Sequence, residues 1–168
     1  MVIIKHANQR VGIFLDVQNL YHSAKNLYGA RVNFEAVVKN IVASRTLIRA
    51  IAYVIHTESG DETAFLEALV NMGIETRSKE LQVFKDNAKK ADWDVGLAVD
   101  MIGLAPKLDV IALVSGDGDF VPALGYVKKF GCQVEVVAFG KTCSQKLQES
   151  ADDFVDLCAS KKYLIRTR

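Results

Sequence analysis

Cysteine is scarce in this chain, and so are proline and histidine. The three cysteines, Cys132, Cys143 and Cys158, cannot all pair and show no CxxC spacing, and the three histidines are scattered. A disulfide framework and a zinc centre are both excluded on those grounds, and a reducing, cytoplasmic setting is expected. With only two prolines in 168 residues there is no proline-rich linker, and the chain has no internal repeat or low-complexity stretch. Charge of either sign is not in excess: 21 Lys and Arg against 20 Asp and Glu leave +1. No global electrostatic argument for a partner follows, so local clusters must carry any such argument. The first ten residues lack the apolar core and cleavage site of a signal peptide. No run approaches the roughly 18 apolar residues of a membrane span, so no membrane partner is expected. The P-loop pattern GxxxxGK[ST] is absent. An EF-hand is excluded as well, because the twelfth position counted from Asp117 is Lys128 where that loop needs Glu.

What is present is an alternation of apolar runs and helix-period segments. Half the residues are hydrophobic, enough for one core in a chain of this length. Strands are predicted at 11–16, at Thr46–His56, more weakly at the edge-like Ile74–Phe84, at 109–114 and at 132–139. Helices are predicted at 19–28 entered through Asn19, at 33–43 capped by Asn33, at Asp61–Met72 stopped by Gly73, at Trp93–Leu104 and at 120–130 closed by Gly131. Residues 144–158 read as helical, then short and extended. Strands alternating with helices imply an α/β fold with a mainly parallel sheet covered on both faces. The domain limits expected are an N-terminal extension at 1–10, one domain at 11–158 and a basic tail at 159–168.

The acidic residues fall where such a fold places ligands. Ile13-Phe14-Leu15 leads into Asp16, and Val110 to Val114 leads into Ser115-Gly116-Asp117-Gly118-Asp119-Phe120. Ligands of open parallel sheets bind at those carboxyl ends. In the second motif the two glycines are expected to allow backbone conformations closed to other residues, turning two carboxylates toward one point. Asp119 reads as the N-cap of the following helix, which leaves Asp117 unexplained by a structural role. Asp16 reads equally well as a helix cap. Asp94 stands in the first turn of its helix, where the macrodipole favours a carboxylate, and Asp92 reads as that helix's N-cap. Asp100 lies about 600° of helical rotation beyond Asp94, off its face, and is a secondary candidate. Trp93 reads as a packing lid more readily than as a stacking platform. Carboxylates without histidine or thiolate are hard oxygen donors suited to Mg²⁺ or Mn²⁺, and such sites serve phosphate chemistry. The basic cluster Arg77, Lys79, Lys85, Lys89 and Lys90 precedes Asp94 and reads either as a polyanion contact or as a solvated loop, since Glu80, Asp86 and Asp92 interrupt it.

In order along the chain, Asp16-x-x-Asn19, Asp94-Val95, Ser115-Gly116-Asp117-Gly118-Asp119-Phe120-Val121-Pro122 and Ala151-Asp152-Asp153-Phe154 resemble the NYN domains of the PIN-like nuclease superfamily, in the LabA-like branch. The resemblance spans about residues 11–158. It implies a PIN-like three-layer α/β/α sandwich and a metal-dependent ribonuclease site of Asp16, Asp94, Asp117 and Asp119, using Mg²⁺ or Mn²⁺ on RNA. Asn19, Ser115 and Asp100 would support that site, and Lys85, Lys89 and Lys90 would contact the nucleic acid. Where relatives carry Lys-Gly, this chain has Ala91-Asp92, which shifts the phosphate-contacting lysine to Lys89 or Lys90. Two other readings stay open: a nucleic-acid-binding or regulatory module with weak turnover, and a phosphatase using the first Asp of Asp117-x-Asp119 as nucleophile. A homodimer is likewise left open.

Overall fold

The computed structural model describes residues 3–56, 62–83, 89–90 and 92–166. Its centre is a six-stranded sheet made of β1 (Arg10–Asp16), β3 (Thr46–His56), β4 (Glu75–Glu80), β7 (Val110–Val114), β8 (Gln133–Ala138) and β9 (Asp153–Asp156), in the order β4-β3-β1-β7-β8-β9. Every pairing in that sheet is parallel. Helices α1 (Val17–Tyr28), α2 (Phe34–Val42) and α3 (Thr63–Asn71) cover one face. Helices α4 (Asp94–Leu104), α5 (Val121–Val127) and α6 (Gln145–Ser150) cover the other. Two short antiparallel pairs complete the fold: β2 (Arg31–Val32) with β10 (Leu164–Ile165), and β5 (Gln82–Val83) with β6 (Lys89–Lys90). This is the α/β/α sandwich expected.

Alternation along the strands divides the core between the two faces. In β1, Ile13 and Leu15 meet Leu20 and Ala24 of α1, Val37 and Ile41 of α2, and Leu69 of α3. Phe14 points the other way, to Leu97 and Met101 of α4 and Leu124 and Val127 of α5. A strand buried on both faces reads as a continuous apolar run, which is why β1 and β7 are recognisable from sequence alone. Each such fully buried Leu or Phe contributes about 1.5–3 kcal/mol. The edge strand β4 is mostly exposed, as its polar alternation predicts. Gly12 serves close approach: a Cβ there would meet Leu108 Cδ1 at 2.4 Å.

Several boundaries differ from the predicted ones. Helix α1 begins at Val17, capped by Asp16 and not by Asn19, whose amide donates to Asp16 Oδ1 at 3.2 Å. Asp92 does not cap α4. That position belongs to Trp93, which makes no side-chain cap. Residues 144–158 follow the expected order, helical and then extended: α6 stops at Ser150, and Asp152 Oδ2 accepts the Val134 amide at 2.8 Å, tying the extended segment to β8 as the sixth strand. The C-terminal segment is docked as well: the amide of Asn33 donates to the Tyr163 carbonyl at 2.8 Å and Tyr163 is buried.

The order of strands positions the site. From β1 the chain builds outward through β3 and β4, then returns to the other side of β1 as β7 and builds outward again through β8 and β9. The carboxyl ends of β1 and β7 therefore flank the point where the order reverses, the place where open α/β sheets form their ligand crevice.

Candidate metal centre

Leu15 pairs with Val114 as the last register position between β1 and β7, so Asp16 and Ser115 leave the sheet side by side. The Ser115 hydroxyl, fully buried, donates to Asp16 Oδ2 at 2.8 Å and accepts the Asp117 amide at 3.2 Å. Asn19 reaches across from α1, where its Oδ1 accepts the Gly116 amide at 2.9 Å. The β1 and β7 turns are thus stitched together by three polar side chains.

The capping role in the second motif is the reverse of the expected one. Asp117, not Asp119, is the cap: its Oδ1 accepts the Asp119 amide at 2.9 Å and opens a turn of 3-10 helix at Gly118–Phe120. The glycines also work differently from expectation. Neither Gly116 nor Gly118 has a positive φ. They are needed because the 143–144 segment presses on the loop: a Cβ on Gly116 would lie 3.1 Å from Cys143 Cα, and one on Gly118 would lie 2.7 Å from Ser144 Oγ.

Helix α4 brings Asp94 to this loop from the far side of the sheet edge. Carboxylate oxygens of Asp94, Asp117 and Asp119 lie within 4.8 Å of one another. Asp16 lines the same pocket of about 340 Å³ together with Asp94 and Asp117. Burial, then the charges of Asp117, Asp16, Asp92 and Asp119, push the Asp94 carboxyl up to about 6. Burial also raises Asp16, against the hydrogen bonds from Ser115 and Asn19 that favour its ionised form. A helix N-terminus by itself would favour the ionised form of Asp94, so burial first and the neighbouring carboxylates second outweigh it. Three hard oxygen donors in mutual reach, with no thiolate or imidazole among them, fit a divalent cation of the Mg²⁺ or Mn²⁺ kind.

The remaining candidates are distributed around this cluster. Asp100 is outside it: its Oδ2 accepts the Tyr53 hydroxyl at 2.7 Å and the Arg77 Nε at 2.9 Å. Trp93 is a wall of the pocket, held by its Nε1 donating to the Val54 carbonyl at 2.9 Å and by the edge of Tyr53 at 5.4 Å between ring centres. Lys85 and the side chains of Lys89 and Lys90 lie outside the described residues. Asp152 and Asp153 serve the β9 edge, with ion pairs to Lys128 at 3.4 Å and Lys5 at 3.3 Å. The sequence reading missed Tyr53, His22 and Thr142, which line the pocket. Tyr53 carried a usable signal, a phenol in an apolar strand, and the folded sheet sets it opposite Asp16 in register. His22 and Thr142 carried none.

Fold and site define the class: a doubly wound parallel α/β protein with an acidic, cation-receptive centre at its switch point. Residues 10–158 match the NYN domain, and the chain belongs to that family, whose members are typically nucleases. It is 28% identical to the low amplitude and bright protein LabA of Synechococcus elongatus, over 94% of this chain and 89% of that protein. An uncharacterized protein of Methanocaldococcus jannaschii is 35% identical over 52% of this chain, which spans about a third (33%) of that relative's length. Among solved structures, a Vibrio parahaemolyticus protein of unknown function superposes with a TM-score of 0.87 at 28% identity, covering 97% of this chain and 100% of the other. Among the described residues, no helix is long and apolar enough to cross a membrane.

Proposed function

We propose that this protein hydrolyses RNA phosphodiester bonds with Mg²⁺ or Mn²⁺. The observation that carries this reading is the convergence of the Asp94, Asp117 and Asp119 carboxylates within 4.8 Å at the rim of a pocket that Asp16 also lines. Asp94, Asp117 and Asp119 would hold the ion. A bound divalent cation supplies positive charge to a phosphoryl oxygen and lowers the pKa of water. The chain's own groups do the rest. Asp16 is fixed by hydrogen bonds to both oxygens, and we assign it to orienting and deprotonating the attacking water; its burial-raised pKa suits proton acceptance. Ser115 and Asn19 hold the Asp16 and Asp117 turns at a fixed spacing, so the groups need not reorganise during reaction. Trp93 and Tyr53 wall the pocket and limit water on the α4 side. A cytoplasmic setting accords with three unpaired thiols.

The deciding experiment is incubation of a mixed RNA pool with Mg²⁺ or Mn²⁺, comparing the wild type with Asp117→Asn. Cleavage by the wild type alone supports the reading. Binding without cleavage under every metal assigns the chain to a binding module, and a trapped phospho-aspartate on Asp117 assigns it to the phosphatases.

A further inference from the structure

No Asp or Glu occurs between Val17 and Phe34, nor between Val136 and Gln148, in a chain with 20 acidic residues among 168. In the folded protein these two carboxylate-free segments lie side by side along one rim of the acidic pocket. Thr142 Oγ1 and Ser23 Oγ are 2.9 Å apart, Lys141 Nζ is 5.9 Å from the centre of the Tyr28 ring, and that ring tilts against Phe139 at 5.9 Å. Tyr21 and Tyr28 stand seven residues apart on one face of α1 and are 44% and 39% exposed. Lys25 Nζ lies 5.7 Å over the Tyr21 ring. One residue further round the helix, His22 and Asn26 line the pocket itself, so pocket and rim are continuous.

The cations of the two rims differ in availability. On the α4 side, Arg77 is paired with Asp100, and Lys79 covers the Trp93 ring at 4.2 Å while donating to the Asp92 carbonyl. On the α1 side, Lys25 and Lys141 form no ion pair among the described residues. The carboxylate that faces Lys141 is Asp156, already accepting the amides of Gly140 and Cys158.

Exposed aromatic rings interleaved with ammonium groups that form no ion pair among the described residues are what a single strand of nucleic acid requires: a flat face for each base and a cation for each phosphate. A duplex keeps its base faces covered and has no use for the rings. An acidic peptide would use the lysines but not the flat faces. We propose that the rim formed by Tyr21, His22, Lys25, Tyr28 and Lys141 binds the single-stranded RNA flanking the cut phosphate. This inference rests on the ribonuclease reading and adds the strandedness of the substrate and the side from which it enters.

The test uses the full chain carrying Asp117→Asn to prevent cutting, with a fluorescein-labelled 12-nucleotide RNA, as single strand and as duplex, titrated across salt. Lys25→Ala with Lys141→Ala should weaken single-strand binding at least tenfold and flatten the plot of log affinity against log salt by about 1.4, at roughly 0.7 per lost phosphate contact. Tyr21→Ala should weaken it about fivefold at an unchanged slope, and Tyr21→Phe should bind as the parent does. On the wild-type background the same substitutions should raise KM by matching factors. If the wild type cleaves RNA and neither affinity nor KM moves by twofold, the strand runs elsewhere and the ribonuclease reading stands. If duplex binding falls equally, or Tyr21→Ala has no effect, the rim is a general polyanion surface and the inference is overturned. If the wild type neither binds nor cleaves RNA, both readings fall together.

Discussion

The Ser115 hydroxyl ties Asp16 to Asp117: it donates to Asp16 Oδ2 at 2.8 Å and accepts the Asp117 amide at 3.2 Å. Ser115→Ala removes both bonds in a fully buried position. A stability loss of about 1–2 kcal/mol should appear in urea denaturation. Asp16 should also titrate higher by carboxyl NMR, since the hydroxyl favours its ionised form. Turnover should fall roughly tenfold, or about 1.4 kcal/mol. A variant matching the wild type in all three would mean that the hydroxyl is idle.

Replacing Asp117 by Asn keeps an oxygen to cap the Asp119 amide, so the loop should fold, while the charge that holds a cation is lost. RNA cleavage should drop by at least about a hundredfold. Asp94→Asn should do the same. Unaltered cleavage in both would remove these residues from the site.

Asp100→Asn provides the contrasting result. Its partners are Tyr53 and Arg77, not the acidic cluster. Cleavage should change by less than about fivefold, and stability by roughly 1 kcal/mol as two hydrogen bonds to a charged group weaken. A loss as large as that of Asp117→Asn would move Asp100 into the site.

The pH response of the metal-free protein follows from Asp94. Its carboxyl holds a proton up to about 6, against an ordinary value of 3.8. Between those values the folded chain binds a proton that the unfolded chain has released, so this group's contribution to stability declines as pH rises from about 4 to 6 and stays low above that. With chelator present, Asp94→Asn should therefore raise the Tm at pH 7 by about 1–3 °C and have little effect near pH 4. Asp109 and Glu75, held ionised by Arg10 and Arg49, act in the opposite direction. The difference between variant and wild type is accordingly the quantity to plot. A Tm difference that is flat with pH would contradict the raising of the Asp94 carboxyl by burial and neighbouring charge.

Adding metal should reverse that penalty. Chelation should abolish cleavage, and Mn²⁺ should restore it at least as well as Mg²⁺. At 100 times its Kd, Mn²⁺ should stabilise the fold by about 2.7 kcal/mol, or roughly 5–10 °C in Tm. Asp94→Asn should cancel the shift. A metal-dependent shift that survives the substitution would place the ion elsewhere.

The parallel order and the two acidic turns were legible because β1 and β7 are buried on both faces and read as unbroken apolar runs ending in Asp16 and Ser115. Long-range partners were not. Nothing local marks Ser144 as the residue that crowds a side chain on Gly118, or His22 as a neighbour of Asp16, because those contacts depend on how α6 and α1 dock. The sixth strand was legible only as a short extended stretch, without its partner, for a related reason. Residues 153–156 are only half-buried, and their strand character comes from pairing with β8 and from the Asp152 bond to Val134. Asp117 and Asp119 exchanged capping roles because both suit a helix start, and only the 3-10 turn between them chooses.

Arg45 and Glu135, both buried, join Nη1 to Oε1 at 2.6 Å. Arg45 opens into β3 and Glu135 lies in β8, yet β1 and β7 stand between those strands. Neither half of the sheet can therefore neutralise its own buried charge. In the joined sheet, loss of either partner would strand a buried charge at a cost of about 3–5 kcal/mol. The pair can form only when the two halves are joined, so folding of this domain should proceed as one cooperative event in which the halves must meet, the same meeting that brings Asp16 alongside Ser115 and creates the crevice.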